Sequence, residues 1–232
     1  HTARMHGYAR RRVDELVDDA LVGFVLKKDS PTCGLERVKV YGTAGMAVKS
    51  GRGLFADAVV TRFSLLPVEE EGRLNDPRLR ENFVERIFAY RRLTALFTGR
   101  WSIGDVVRFH TAHKLTLMAH RPEAYRRLGH LVASGKAMAR REFQDRYSTE
   151  FMTALATIAT ARRHANVLQH MLGYFKQTLD RESRANCSPS SRTTPAGVSR
   201  WWCRSRCSRI TSGAAGCRTW PTRSICGRIR SS

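Results

Sequence analysis

The 232-residue sequence predicts an α+β protein in which a partial α/β unit precedes an all-α helical bundle. Three observations carry that expectation. Up to residue 74, short apolar runs alternate with loops bounded by Gly and Pro. From 75 to 182, apolar residues recur at helical spacing, and from Ser183 onward the periodicity disappears, so the last segment is expected to be disordered. The expected organisation is therefore 1–74, 75–182 and 183–232.

Within the first segment the pattern gives a helix from about Ala3 to Asp19, a strand from Leu21 to Lys27, a loop Asp29-Ser30-Pro31-Thr32-Cys33-Gly34, a strand from Arg37 to Tyr41 and a helix around Leu54 to Thr61. In the second, Asp76 caps a helix that begins at Pro77 and ends near Gly99. Ser102 and Asp105 form a capping-box-like start for a helix that stops before Pro122. A short helix from Pro122 to about Ser134 follows. The next carries Phe143, Tyr147, Phe151, Leu155 and Ile158 one turn apart, and the last carries Val167, Leu168, Met171, Leu172, Phe175 and Leu179. Five amphipathic helices joined by short loops imply a bundle with one core.

Cys33 is the only cysteine before position 187. A thiol in a Pro/Gly loop after a strand is placed where α/β proteins present reactive or metal-binding groups, although a lone loop cysteine also serves as a small apolar residue. The run from Leu21 through Cys33-Gly34, Val38-Lys39-Val40-Tyr41, Gly53-Leu54-Phe55-Ala56 and Leu66-Pro67-Val68-Glu69-Glu70-Glu71-Gly72 resembles the TudS-type desulfidase family, domain of unknown function 523. The resemblance implies a [4Fe-4S] cluster on three cysteines, with one iron open to take sulfur from a thiocarbonyl as a Lewis acid. Cys33 corresponds to the third ligand, in a Ser-Pro-x-Cys-Gly loop, and Ser30 is the candidate polar contact to substrate. Counterparts of the other two cysteines are expected upstream of His1, so the domain reads as truncated, and one thiolate of three is not expected to retain a cluster.

Arg80-Glu81-Asn82-Phe83, Phe109-His110-Thr111-Ala112-His113-Lys114-Leu115, Leu117-Met118-Ala119-His120, Asn166-Val167-Leu168-Gln169-His170 and Gly173-Tyr174-Phe175-Lys176 resemble the YbgA-type domain, domain of unknown function 1722. In that family the domain commonly follows a desulfidase domain. Such two-domain proteins resemble the RudS enzymes, which act on 4-thiouridine in transfer RNA, and this implies an RNA-engaging role for the helical part.

Charge is consistent with a polyanionic partner. Residues 1–182 hold 31 Lys and Arg against 20 Asp and Glu, a net charge of +11. Arg10 to Arg12, Arg126 and Arg127, Arg140 and Arg141, and Arg162 and Arg163 spread basic groups over several helices, with Tyr125 and Tyr147 as stacking candidates; a merely solvated basic surface is the alternative. His110, His113 and His120 share a helical face with Lys114, while His170 and Lys176 lie toward the end of the last helix. These side chains are RNA-contact candidates. Hydrogen bonding between helices is the other role that suits these histidines, and metal binding is the lesser alternative, because they lack the cysteine pair or carboxylate cluster of the usual zinc patterns.

Residues 183–232 contain no Asp, Glu or Lys, yet carry ten Arg, five of the six Cys and three of the four Trp. A metal knuckle, a disulfide scaffold or a basic tail would each suit that count. A shifted reading frame suits it better. Taking the third base of each codon with the first two of the next turns Trp201-Trp202-Cys203 into two valines and yields apolar strings resembling the end of the YbgA-type domain. The change of frame is expected near Arg184 to Cys187, and the nucleotide sequence tests it.

No segment reaches the roughly 20 apolar residues of a membrane span. A single thiol before residue 183 suits a reducing cytoplasm. Three functions follow: an iron–sulfur desulfidase acting on thiolated uracil or transfer RNA, a helical RNA-binding module without catalysis, and an interaction domain that binds no nucleic acid.

Overall fold

A computed structural model describes residues 2–41 and 47–174 of the chain. It starts with α1 (Thr2–Glu15), which tightens into a 3-10 turn at Leu16–Asp19 and ends where Ala20 takes a left-handed backbone, φ 46°. A three-residue strand β1 (Phe24–Leu26) follows the helix, then β2 (Val38–Tyr41), β3 (Ala47–Gly51), α2 (Leu54–Arg62) and β4 (Val68–Glu70). Strands β1 and β4 pair in parallel, Phe24 opposite Val68 and Leu26 opposite Glu70, while β2 and β3 form an antiparallel hairpin. The face between α1 and α2 is closed by Ala9, Val13, Ala56 and Val59, all essentially inaccessible. Small and β-branched residues at these positions let the two helices approach closely.

The strand expected over Leu21 to Lys27 is shorter in the structure because its partner β4 offers only three residues to pair with. Gly23 is also taken up otherwise: a Cβ there would come within 2.7 Å of Ile87, so the backbone lies against the helix of the second segment rather than in a ladder. Neither β3 nor β4 was read from local pattern. Two adjacent glutamates in β4 hide its strand character, and β3 carries Ala, Lys, Ser and Gly around its single valine, residues of low strand preference.

The helical segment runs α3 (Pro77–Phe97), α4 (Ile103–Ala112), α5 (Lys114–His120), α6 (Pro122–Ser134), α7 (Arg140–Ala156) and α8 (Ala161–Tyr174). Asp76 caps α3 by accepting from the Arg78 and Leu79 amides at 2.7 and 3.3 Å, with Pro77 in the first helical position. Ser102 and Asp105 complete a reciprocal capping box on α4. The helix expected to run unbroken to Pro122 is interrupted at His113. Its ring Nδ1 donates to the Phe109 carbonyl at 2.9 Å, the same oxygen its own amide reaches at 3.1 Å, and that competition loosens the turn.

The core is built on α7. Phe143, Tyr147, Phe151 and Leu155, each one turn from the last, have no accessible surface and pack with Leu93, Trp101, Leu117 and Leu128 of the neighbouring elements. Burying each such side chain contributes about 1.5–3 kcal/mol. The stripe ends before Ile158, because α7 stops at Ala156: Thr157 turns extended, its carbonyl taken by His120, while the Leu155 carbonyl is taken by Asn82. Residues of the last expected helix beyond Tyr174, Lys176 among them, and the expected disordered 183–232 segment lie outside the described residues.

Candidate functional site

The Cys33 loop is held from three sides. Ser30 Oγ accepts from the amides of Thr32 and Cys33 at 3.3 and 3.1 Å, and the Ser30 carbonyl accepts from Gly34 at 2.8 Å, which closes the loop on itself. The start of α2 docks beneath it: Phe55 and Ala56 donate to the Thr32 carbonyl at 2.9 and 3.2 Å, and Leu54 donates to that of Pro31 at 3.3 Å. Gly53 makes this approach feasible, since a Cβ there would lie 2.7 Å from the Cys33 nitrogen as well as against Thr32. On the third side the buried Glu70 carboxylate of β4 accepts from Leu35 at 2.8 Å and Glu36 at 3.3 Å. Cys33 is left as a half-buried free thiol, and Ser30, with two acceptor sites used, keeps its hydroxyl proton to donate.

Glu69 and Glu70 are the functional-site residues that sequence reasoning passed over. Glu69 Oε1 accepts from the Glu70 amide at 3.0 Å and from Arg73 Nε at 2.7 Å. Arg86 of α3 lies close by: burial lowers its pKa, Glu69 acts in the opposite sense, and its Nε has no hydrogen-bond partner. The available signal was acidic residues directly after a Pro-Val strand start, where only a buried cation or amide cluster would make them tolerable.

The described donors do not complete the cluster that the resemblance implies. Among the described residues no group of three His, Cys, Asp or Glu converges, and Cys33 stands as the one thiol. These residues by themselves do not make a [4Fe-4S] site, which needs a thiolate set.

The histidine face resolves into three separate roles inside the bundle. His110, His113 and His120 are 9%, 6% and 2% exposed, so burial withdraws them from the set of RNA contacts. His110 Nδ1 lies 3.3 Å from Tyr147 Oη, and its ring stacks on Tyr125 with centroids 5.0 Å apart. Burial pushes the pKa values of His110 and His113 down, and burial pushes the Tyr147 phenol up, so all three stay neutral. His120 behaves oppositely. Burial disfavours its charged form, but Glu85 at 3.0 Å from Nε2 and the Thr157 carbonyl at 2.6 Å from Nδ1 outweigh it and the pKa rises. With acceptors on both nitrogens, it is an imidazolium clamp joining α5 to α3 and to the end of α7.

The other basic candidates divide. Arg126 and Arg162 are exposed. Arg127 is held by Glu150, with Nε at 2.9 Å, across the groove of about 440 Å³ between α6 and α7. Arg163 donates to the His120 carbonyl at 2.7 Å. Arg140 is spent on Trp101, lying over its ring at 4.4 Å and donating to its carbonyl. Lys114 and His170 meet through Tyr174, at 2.9 and 3.1 Å from its hydroxyl.

Comparison with known proteins follows this division of the molecule. Residues 1–71 match the family model for 2-thiouracil desulfurase, and residues 114–190 match that of a protein of unknown function, DUF1722. Two family matches divide the chain. The desulfidase-type segment comes first and the YbgA-type segment second, as the sequence motifs implied. The uncharacterized protein YbgA of Escherichia coli K12 is 30% identical over 112 residues, which cover 48% of this chain and 66% of that protein. No solved structure gives a significant match. The DUF1722 match begins at Lys114, so the motifs at Arg80 to Phe83 and Phe109 to His113 precede it. Among the described residues no helix is long and apolar enough to cross a membrane.

Proposed function

We propose that the chain is part of a thiouracil desulfurase-type protein that removes sulfur from thiolated uracil, with 4-thiouridine in transfer RNA as the substrate and the helical segment engaging the RNA. The observation that carries this reading is the Cys33 loop, anchored by Ser30, α2 and Glu70 within the segment that matches the desulfurase family. In it Cys33 supplies one thiolate to a [4Fe-4S] cluster whose other thiolates come from outside the described residues, and Ser30 offers its proton toward the substrate. Residues 1–74 form the desulfidase part, 75–182 the RNA-engaging part and 183–232 a tail read in a shifted frame; a reducing cytoplasm suits the thiol. Exposed Arg126, Arg127, Arg162 and His170, together with half-exposed Lys114 and Arg163, are the RNA contacts in this reading.

The test is anaerobic reconstitution of the protein expressed from the complete reading frame. Bound iron and sulfide, their loss in Cys33→Ser, and release of sulfide with uridine formed from 4-thiouridine in transfer RNA are expected. Iron-free, inactive protein would sink the proposal. A second reading, a helical module that engages RNA without catalysis, is favoured by the solitary position of Cys33 among the described residues. Under that reading transfer RNA binds, but no thiocarbonyl is consumed.

A further inference from the structure

Where α5 meets α8, Lys114 contacts the phenol of Tyr174, and the phenol of Tyr125 on α6 lies within electrostatic reach. Lys114 Nζ donates to Tyr174 Oη and lies 5.7 Å from the centroid of that ring, and Tyr174 Oη is 3.1 Å from His170 Nε2. An ammonium has only protons to give, so the phenol oxygen accepts from Lys114 and keeps its own proton on the side of His170 Nε2. This uses one of the three Lys114 protons. The hydrogen bond to Tyr174 raises the Lys114 pKa, and the other groups that raise it are the phenols of Tyr174 and Tyr125, with no carboxylate among them. On α6, by contrast, Arg127 is paired with Glu150.

Tyr125 adds a second kind of surface. One face of its ring lies parallel to His110 with an interplanar angle of 4°, and His110 is itself fixed by the buried Tyr147 hydroxyl. The orientation of Tyr125 is therefore set by the core, while the residue remains half-exposed and within electrostatic reach of Lys114. A fixed, partly open aromatic face next to a cation without an acid partner matches the two halves of a nucleotide, a flat base and a phosphate.

We propose that this junction is a single-nucleotide subsite for an RNA strand: a base stacks on the open face of Tyr125, extending the His110–Tyr125 stack, and the adjoining phosphate takes the free protons of Lys114. The subsite rests on the reading that the helical segment engages RNA, and gives that reading a place. His170 and Tyr174 hold Lys114 extended toward the strand.

The experiment uses the full chain and a labelled single-stranded oligouridylate, with affinity measured at several salt concentrations and ultraviolet cross-links mapped to individual residues by mass spectrometry. Mapping is needed because the ten arginines of residues 183–232 attract polyanions as well. Cross-linking at Tyr125 is expected. Tyr125→Phe keeps the stack and binds as the parent does, whereas Tyr125→Leu weakens binding about 5- to 100-fold with an unchanged salt slope. Lys114→Gln reduces the slope of log affinity against log salt by about 0.7, the signature of one lost phosphate contact on a single strand. Should Tyr125→Leu lose its helical circular dichroism, the parent cross-link map and the half-exposed Lys114→Gln variant decide the matter. Cross-links confined to other residues, with both variants binding as the parent, overturn the subsite and leave RNA binding standing. A parent chain that neither binds nor cross-links overturns both.

Discussion

Replacing Glu85 by glutamine isolates the charge of the buried imidazolium that joins three helices. The substitution keeps size and an amide able to bond His120 Nε2, but removes the carboxylate that offsets the desolvation of His120. A charge-assisted hydrogen bond of this kind contributes about 1.5–3 kcal/mol, and because the Glu85 side chain is 42% exposed the expected loss is discounted to about 1 kcal/mol. The pKa of His120 is raised in the folded chain, so its contribution is complete below the unfolded value near 6.5 and disappears as pH climbs through the higher folded value. The difference between parent and Glu85→Gln is therefore greatest at acidic pH, near about 5.5, and shrinks as pH rises through the raised folded value. With a urea slope of about 2–3 kcal/mol per molar, the midpoint moves down by roughly 0.3–0.5 M at the acidic pH. Far-ultraviolet circular dichroism is the suitable probe, because three of the four tryptophans lie at 201, 202 and 220 and would dominate fluorescence. His110 and His113, whose pKa values are lowered, act in the opposite sense, losing stability as pH falls below about 6.5; Glu85 partly offsets the lowering at His113, so its removal adds to the acidic loss there rather than cancelling. A midpoint shift that stays constant across the pH series, or none at any pH, would refute the clamp.

Gly53→Ala forces a Cβ into the Thr32 and Cys33 backbone, and is expected to cost about 1–3 kcal/mol while lifting the cysteine loop off α2. Iodoacetamide labelling of Cys33, followed by peptide mapping, then accelerates relative to the parent; unchanged labelling with an unchanged urea midpoint contradicts the docking. Tyr147→Phe preserves the ring stack of α7 but strands His110 Nδ1, so it lowers stability by about 0.5–1.5 kcal/mol, measured by urea unfolding near pH 8 where His110 is neutral. A variant as stable as the parent would mean the 3.3 Å contact contributes nothing.

Much of the helical segment was legible locally. Asp76 with Pro77, and Ser102 with Asp105, announce helix starts because a cap is satisfied by amides two or three residues away. The Ser30 loop was legible for the same reason, its hydroxyl serving amides within three residues. What the histidines do was not. His110, His113 and His120 share one helical face in sequence, yet one ring stacks between helices, one bonds back to its own helix and one is charged against Glu85, 35 positions away. Spacing tells which residues lie on a face, but not what that face meets.

The sequence by itself determined the helical stripe of α7, the caps and the closed turn that carries Cys33, all of which depend on neighbours within about one turn. Only the tertiary structure decided the parallel pairing of β1 with β4, the anchoring of the cysteine loop by Glu70, 34 positions away from the Glu36 amide it accepts from, and the neutral or charged state of each buried imidazole. The physical reason is that ladders and buried charges take their free energy from partners distant along the chain. Their local pattern therefore reads the same whether the partner is solvent, a carbonyl or a carboxylate.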